Sequence, residues 1–187
     1  MSYHFVVLGA AAALRLWEVI HSWRQLAAQQ KEAQAQPLEE PFFPLMVALH
    51  AGWLAGGLAE VVLTRPLFHP WLVLPLLAVW AAALGLRFWV VLTLGAEWNV
   101  RVIRRKRQRV IVHGPYRFVR HPNYVALVLE IAAIPLLIGA YWTALLATVV
   151  NAALLADRIR REEAYLLQNS AYRKAFGGKK RFIPRVF

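Results

Sequence analysis

Two short stretches hold most of the residues that could do chemistry. The first is His113-Gly114-Pro115-Tyr116-Arg117-Phe118-Val119-Arg120-His121-Pro122-Asn123-Tyr124, with two His, two Arg, two Tyr and two Pro in twelve residues. Proline fixes its own φ and disfavours the α region for the residue before it. Pro115 and Pro122 therefore predict a shaped loop that enters a helix at about Pro122. A polar, aromatic loop at the mouth of an apolar helix is a natural place for a ligand. The alternative is a membrane-border loop whose arginines meet lipid phosphates and whose tyrosines anchor at the interface. The second stretch, Arg158-Ile159-Arg160-Arg161-Glu162-Glu163, follows about forty residues later. Its Arg158 and Glu162 stand at i,i+4, a spacing that also suits a surface helix of ion pairs.

Several other chemistries do not fit the pattern. There is no cysteine, which excludes disulfides and thiolate metal sites. The chain has no HExxH, no GxSxG and no glycine-rich strand-to-helix fingerprint, so a zincin, an α/β-hydrolase and a Rossmann cofactor site are not expected. No metal site is expected.

The elements that must position these stretches are apolar. The 187 residues are 59% hydrophobic with a mean hydropathy of +0.44, too apolar for an ordinary soluble domain. Runs at 3–23, 44–63, 71–94, 124–138 and 141–156 predict five transmembrane helices, the last two short and forming a tight hairpin. The fold class is thus an all-α integral membrane protein, with 1–187 as one membrane domain: three helices in 1–94 and the chemical half in 95–187. Gly52, Gly56 and Gly57 in the second run suit close helix approach in lipid. Arg15 and Glu18, at i,i+3 in the first run, read as a mutually satisfied pair, because charges in a span are costly alone. His50, Glu60 and Arg87 are the other polar exceptions, and His50 reads as a packed or interfacial histidine. Glu130 and Asn151 suit hydrogen bonds between helices, and Glu130, about two turns past His121, also suits the same pocket as His121. Residues 24–41 read as a solvated connector, and the tail from Asp157 as a charged helix ended by Gly177-Gly178, then a basic strap through Lys179-Lys180-Arg181 to Ile183-Pro184.

The formal charge is +12, with eight of 22 Lys and Arg in 101–120 and nine in 158–185. Basic blocks flanking apolar runs suit a membrane rim that meets anionic lipid rather than nucleic acid. With five crossings, the 24–41 and 95–121 loops and the carboxyl terminus share one side. The positive-inside bias makes that side cytoplasmic and puts the amino terminus outside.

GPYRFVRHPNY followed by the Arg/Glu-Glu helix resembles the isoprenylcysteine carboxyl methyltransferase family of membrane enzymes, over roughly residues 94 to 185. The resemblance implies S-adenosylmethionine as cofactor, contacted by His113, Tyr116, His121, Pro122, Tyr124, Glu162 and Glu163. It also implies Arg120 and Arg161 near the reacting group, holding the acceptor, with Glu130 and Asn151 on the substrate side. A carboxylate acceptor needs no base; a phenol or enol does, with Glu163 or His121 as the candidate. The string from Leu94-Gly95-Ala96-Glu97-Trp98 onward is more similar to bacterial members, some of which methylate hydroxyls of alkylresorcinols or alkylpyrones. The implied enzyme is therefore a bacterial inner-membrane O-methyltransferase acting on a lipophile that enters from the bilayer, its active site facing the cytoplasm. Ala126 departs from the common RHPxYxG form. Phospholipid N-methylation and a non-enzymatic scaffold binding anionic lipid are the competing readings.

Overall fold

The computed structural model describes residues 2–31, 35–66, 69–105 and 109–182. Helix α1 (Ser2–Lys31) carries the first apolar run on into the Ala/Gln-rich segment, because no Gly or Pro interrupts it after Trp23. Helices α2 (Phe43–Thr64) and α3 (Pro70–Leu94) each have proline in the first turn, where the missing N–H removes no helix bond. Helix α4 (Pro122–Leu137) begins at the proline that marks it in the sequence.

The fifth apolar run and the charged tail are one helix, α5 (Tyr141–Leu166), so the boundary expected at Ala156 does not exist. No Gly or Pro stands between Tyr141 and Leu166 to stop it. The break comes later, where Asn169 Oδ1 accepts from Ala171 N at 2.9 Å and Tyr172 N at 3.3 Å to start α6 (Ser170–Phe176). Among the described residues four helices, Tyr3–Gln30, Phe43–Thr64, Pro70–Glu97 and Tyr141–Leu166, are long and apolar enough to cross a membrane. Of the expected hairpin pair, only α4 is short. Ten of its sixteen residues are buried, so it lies within the bundle between α3 and α5 rather than against lipid. Leu63 and Leu92, each 81% exposed, belong to the outward faces of the longer helices.

The all-α expectation holds apart from one small sheet. Strand β1 (Ala35–Pro37) pairs antiparallel with β2 (Ile103–Arg105), Gln36 opposite Arg104, and Leu38 N donates to Val102 O at 2.8 Å. The 24–41 connector is therefore not merely solvated: its described part is tied across the basic 101–105 segment. Glu32, Gln34, Lys106, Arg107, Ile183 and Pro184 lie outside the described residues.

Close approach shapes the far end of the bundle. A Cβ on Gly56 would meet the Thr143 side chain at 3.3 Å, and one on Gly57 would meet Ile138 at 3.4 Å, so α2 lies close to the α4–α5 hairpin. Gly139 turns that hairpin at φ +77, where a Cβ would also stand 2.6 Å from Pro66. Glu60 accepts from Trp142 N at 3.0 Å and from Thr143 N and Oγ1, both at 2.8 Å, capping α5 from another helix. Ala140 has no side chain to do this. Glu60→Ala should destabilise the protein by about 1–2 kcal/mol, the usual cost of losing a cap. Thermal unfolding in detergent would show it as a lowered Tm with unchanged helix content.

Candidate functional site

The loop before α4 is built by a left-handed glycine and a short turn. Gly114 has φ +59, and a Cβ there would lie 2.4 Å from Thr93 Oγ1, so only glycine lets the loop press against α3. A single 3₁₀ turn, Gly114–Arg117, then carries Tyr116 inward. The chain past α6 lies across the end of this loop as a strap. Arg120 N donates to Lys180 O at 2.9 Å, His121 N to Arg181 O at 3.1 Å, and Lys179 Nζ to Tyr116 O at 2.8 Å. The Arg120 guanidinium donates to Lys179 O at 2.7 Å and Gly177 O at 3.0 Å.

Adjacent residues of a helix point about 100° apart, and the two glutamates of α5 go to different places. Glu163 is buried. It accepts from His121 Nε2 at 3.0 Å and Arg181 Nη2 at 2.7 Å, with Arg120 Nη1 at 3.4 Å. A carboxylate only accepts, so His121 Nε2 carries its proton and is committed to this ion cluster. The Arg181 guanidinium is held charged above its ordinary range by that same hydrogen bond. Glu162 faces the other way and accepts the Tyr124 hydroxyl, whose ring stacks on His121 with centroids 5.3 Å apart.

A polar cavity of about 130 Å³ opens between these elements. Glu162, Arg158 and Leu166 of α5 form one wall, and Tyr116, Arg120 and His121 another. The segment after α3 closes it with Trp98, Arg101, Ile103 and Arg105. The Trp98 indole N–H is buried and has no hydrogen-bond partner among the described residues, an unmet donor in the cavity wall. Burial, and then Glu162 and Tyr172, hold the Tyr116 hydroxyl protonated well above the usual tyrosine range. Burial lowers the Arg105 guanidinium from its usual range, opposed by Glu97 at 2.8 Å.

A second, largely apolar cavity of about 160 Å³ lies deeper in the bundle, lined by Val19, Phe43, Met46, Val47 and Leu127. It shares Trp98, Asn123, Tyr124 and Arg158 with the polar cavity. Its floor is ionic. Arg87 donates to Glu130 from Nε at 3.0 Å and Nη2 at 2.7 Å, and its Nε lies 3.0 Å from Glu18. Arg15 bonds Glu18 at 2.7 Å and also Glu130. Arg15 and Glu18 are thus not a closed pair but half of a four-membered network.

The structure brings Tyr116, Arg120, His121, Tyr124 and Glu162 to the polar cavity. Glu163 and Pro122 sit just behind it, Glu163 in the ion cluster and Pro122 buried at the start of α4. Four expected residues lie elsewhere. His113 is exposed on a neighbouring recess of about 560 Å³ beside Thr93 and Arg109. Arg161 is exposed, 2.7 Å from Asp157 and over the Phe42 ring, because its position on α5 turns it away from Glu162. Asn151 is buried in α5 and borders neither cavity, and Glu130 reaches the apolar cavity only through Arg15 and Arg87. The expected Arg158–Glu162 pair is replaced by Arg158 Nε with Glu40 at 3.4 Å. Arg158, Trp98, Asn123 and Arg105 are site residues that sequence reasoning left out. Among the described residues no cluster of three or more His, Asp or Glu is placed to hold a metal.

Residues 73–168, from α3 to the end of α5, match the model of the isoprenylcysteine carboxyl methyltransferase family. The chain belongs to that family. It is 34% identical over 147 residues to the uncharacterized protein YpbQ of Bacillus subtilis, covering 79% of this chain and 87% of that protein. It is 29% identical over 89 residues to an uncharacterized protein of Haemophilus influenzae, covering 47% of this chain and 52% of that one. Membership in the isoprenylcysteine carboxyl methyltransferase family makes this chain a membrane methyltransferase. The matched segment contains the whole polar wall of the site from Trp98 to Glu163, but not Arg15, Glu18, Glu40 or His50.

Proposed function

We propose that this protein transfers a methyl group from S-adenosylmethionine to an oxygen of a long-chain lipophile. The observation that carries the reading is the pair of adjoining cavities: a polar one at the loop and α5, an apolar one in the bundle, with Trp98, Asn123, Tyr124 and Arg158 common to both. The polar cavity has the donor set the cofactor needs. Glu162 suits ribose hydroxyls, Arg101 and Arg105 suit the carboxylate, and Trp98, Ile103 and Leu166 suit the adenine face. Bound there, the cofactor supplies an activated methyl group on a sulfonium. The protein's part is to hold the two partners across the shared wall and to keep water out. Val19 and Val47 line the apolar cavity and are also 38% and 54% exposed on their helices, so a lipophile entering sideways from the bilayer meets that cavity first. An alkylresorcinol-like or isoprenylcysteine-like lipid has the required shape. Glu163 acts from behind the cavity and Arg120 from its wall, fixing His121 and the strap rather than contacting the reacting atoms.

In this reading the short, buried α4 counts as a fifth crossing beside the four long helices, and the polar cavity faces the cytoplasm of a bacterial inner membrane. Loops and tail on that side carry nineteen Lys and Arg, against Arg65 alone in the 64–70 turn. Calorimetric titration of detergent-purified protein with S-adenosylhomocysteine tests the reading. Saturable binding is expected, weakened about tenfold or more in Glu162→Ala, where a charged hydrogen-bond acceptor is lost. A folded wild-type protein that binds nothing would overturn it.

A further inference from the structure

The apolar cavity contains a proton acceptor that nothing uses. His50 of α2 lines it, and its Nδ1 is 2.7 Å from the Met46 carbonyl oxygen. A carbonyl only accepts, so Nδ1 carries the hydrogen and Nε2 of the neutral ring keeps its lone pair. Among the described residues Nε2 has no hydrogen-bond partner.

The charged groups facing His50 across this cavity are Arg15 and Glu18 of α1, Arg87 of α3 and Arg158 of α5, with the Tyr124 hydroxyl from α4. Every guanidinium there is already matched. Arg15 and Arg87 are held by Glu18 and Glu130, and Arg158 by Glu40. Arg158 shares Glu40 with Arg101, whose Nε is 3.6 Å from it, so each of the three cavity guanidiniums has a carboxylate neighbour. An acceptor that arrives as a carboxylate anion must leave water for a cavity whose guanidiniums already face carboxylates. An acceptor that arrives neutral, with a hydroxyl to give up, finds a base with its lone pair free.

We infer that His50 Nε2 is the general base for a neutral, weakly acidic hydroxyl, a phenol or enol carried on a long alkyl chain. This deepens the methyl-transfer reading above and rests on it. The O–H bond breaks with its proton passing to Nε2; the oxygen forms the O–CH₃ bond as the S–CH₃ bond of the sulfonium breaks, its electron pair staying on sulfur. Positive charge moves from sulfonium to imidazolium, so the site's net charge is constant through the step. The imidazolium then returns its proton to water. His50, Arg15 and Glu18 all lie outside the segment 73–168 that matches the family. The N-terminal helices thus select the acceptor, while the shared half holds the cofactor.

The test uses the full chain in lipid nanodiscs and the variant His50→Asn. Asparagine's amide can still donate to Met46 O, but the Nε2 base is gone. Three probes are used: dodecylphenol, its ring-nitrated analogue (already ionised at the assay pH) and dodecyl anisole, which has no O–H. Turnover of dodecylphenol should fall on the order of 100-fold or more, the usual contribution of a general base. Turnover of the nitrated phenol should stay within about threefold, since it needs no base. Without turnover, the wild type loaded with S-adenosylhomocysteine should bind dodecylphenol more tightly than dodecyl anisole, and the variant should lose that preference. S-adenosylhomocysteine affinity should be the same in both proteins. An equal fall on both phenols, or no fall, overturns the inference. So does a wild type that methylates dodecanoic acid but neither phenol, which leaves the methyl-transfer reading standing. A wild type that binds no S-adenosylhomocysteine removes both.

Discussion

Replacing Arg87 by Leu is expected to cost about 3–5 kcal/mol, the range for removing one partner of a buried ion pair. The residue is 3% exposed, and its guanidinium is the only described group that contacts both Glu18 and Glu130 besides Arg15. Without it two carboxylates inside the bundle share one guanidinium, far from water that could solvate them. The loss comes from the stranded charge rather than from the missing bonds, and that difference can be measured. Arg87→Leu with Glu130→Leu removes one charge of each sign and leaves Arg15 with Glu18. The double variant should recover more than half of the Tm lost by the single one. A single variant as stable as wild type would show that the network contributes nothing to holding α1, α3 and α4 together. A double variant no better than the single would show that packing, not charge, is what Arg87 supplies.

Much of this was legible in the sequence because lipid imposes a simple pattern. Runs of about twenty apolar residues identified α1, α2 and α3, and Pro122 fixed the start of α4. The misreading of α5 has a local cause. The change from Ala156 to Asp157 is a change of solvent, not of backbone, and nothing there breaks a helix. The sheet was illegible because Ala-Gln-Pro has no strand propensity, and its partner lies almost seventy residues away. Arg15 and Glu18 could be paired from their spacing, but Arg87 and Glu130 complete the network only once α3 and α4 are folded against α1. Arg158 was assigned to Glu162 because i,i+4 neighbours are the only partners a sequence offers. Glu40, brought over by the connector, takes it instead. His50 was passed over for a sound reason. Only the bond to Met46 O settles which nitrogen holds the hydrogen, and only the folded bundle shows that the ring borders a cavity.

Neighbouring Glu162 and Glu163 should give opposite results when each is changed to Ala. Glu163 ties the strap down: Arg181 reaches it at 2.7 Å, while Arg120 and His121, which also grip Lys180 O and Arg181 O through their backbone N–H groups, meet the same carboxylate. A hydrogen bond to a charged group contributes about 1.5–3 kcal/mol. The Arg181 side chain is 45% exposed, so solvent screening puts its share at the low end. Loss of about 1.4 kcal/mol multiplies the open population of the strap by about ten. Lys179, Lys180 and Arg181 are tryptic sites within that strap. Cleavage limited by local opening should therefore run about tenfold faster in Glu163→Ala, with the bundle itself intact. Glu162→Ala should leave the tryptic rate at its wild-type value, because Glu162 contacts Tyr124 and the polar cavity, not the strap. Its effect should appear in S-adenosylhomocysteine affinity alone. Limited trypsin digestion and titration of both variants separate the two roles. Equal behaviour of the two would mean that the pair acts as one acidic patch, and the division of labour between cavity wall and strap anchor would be wrong.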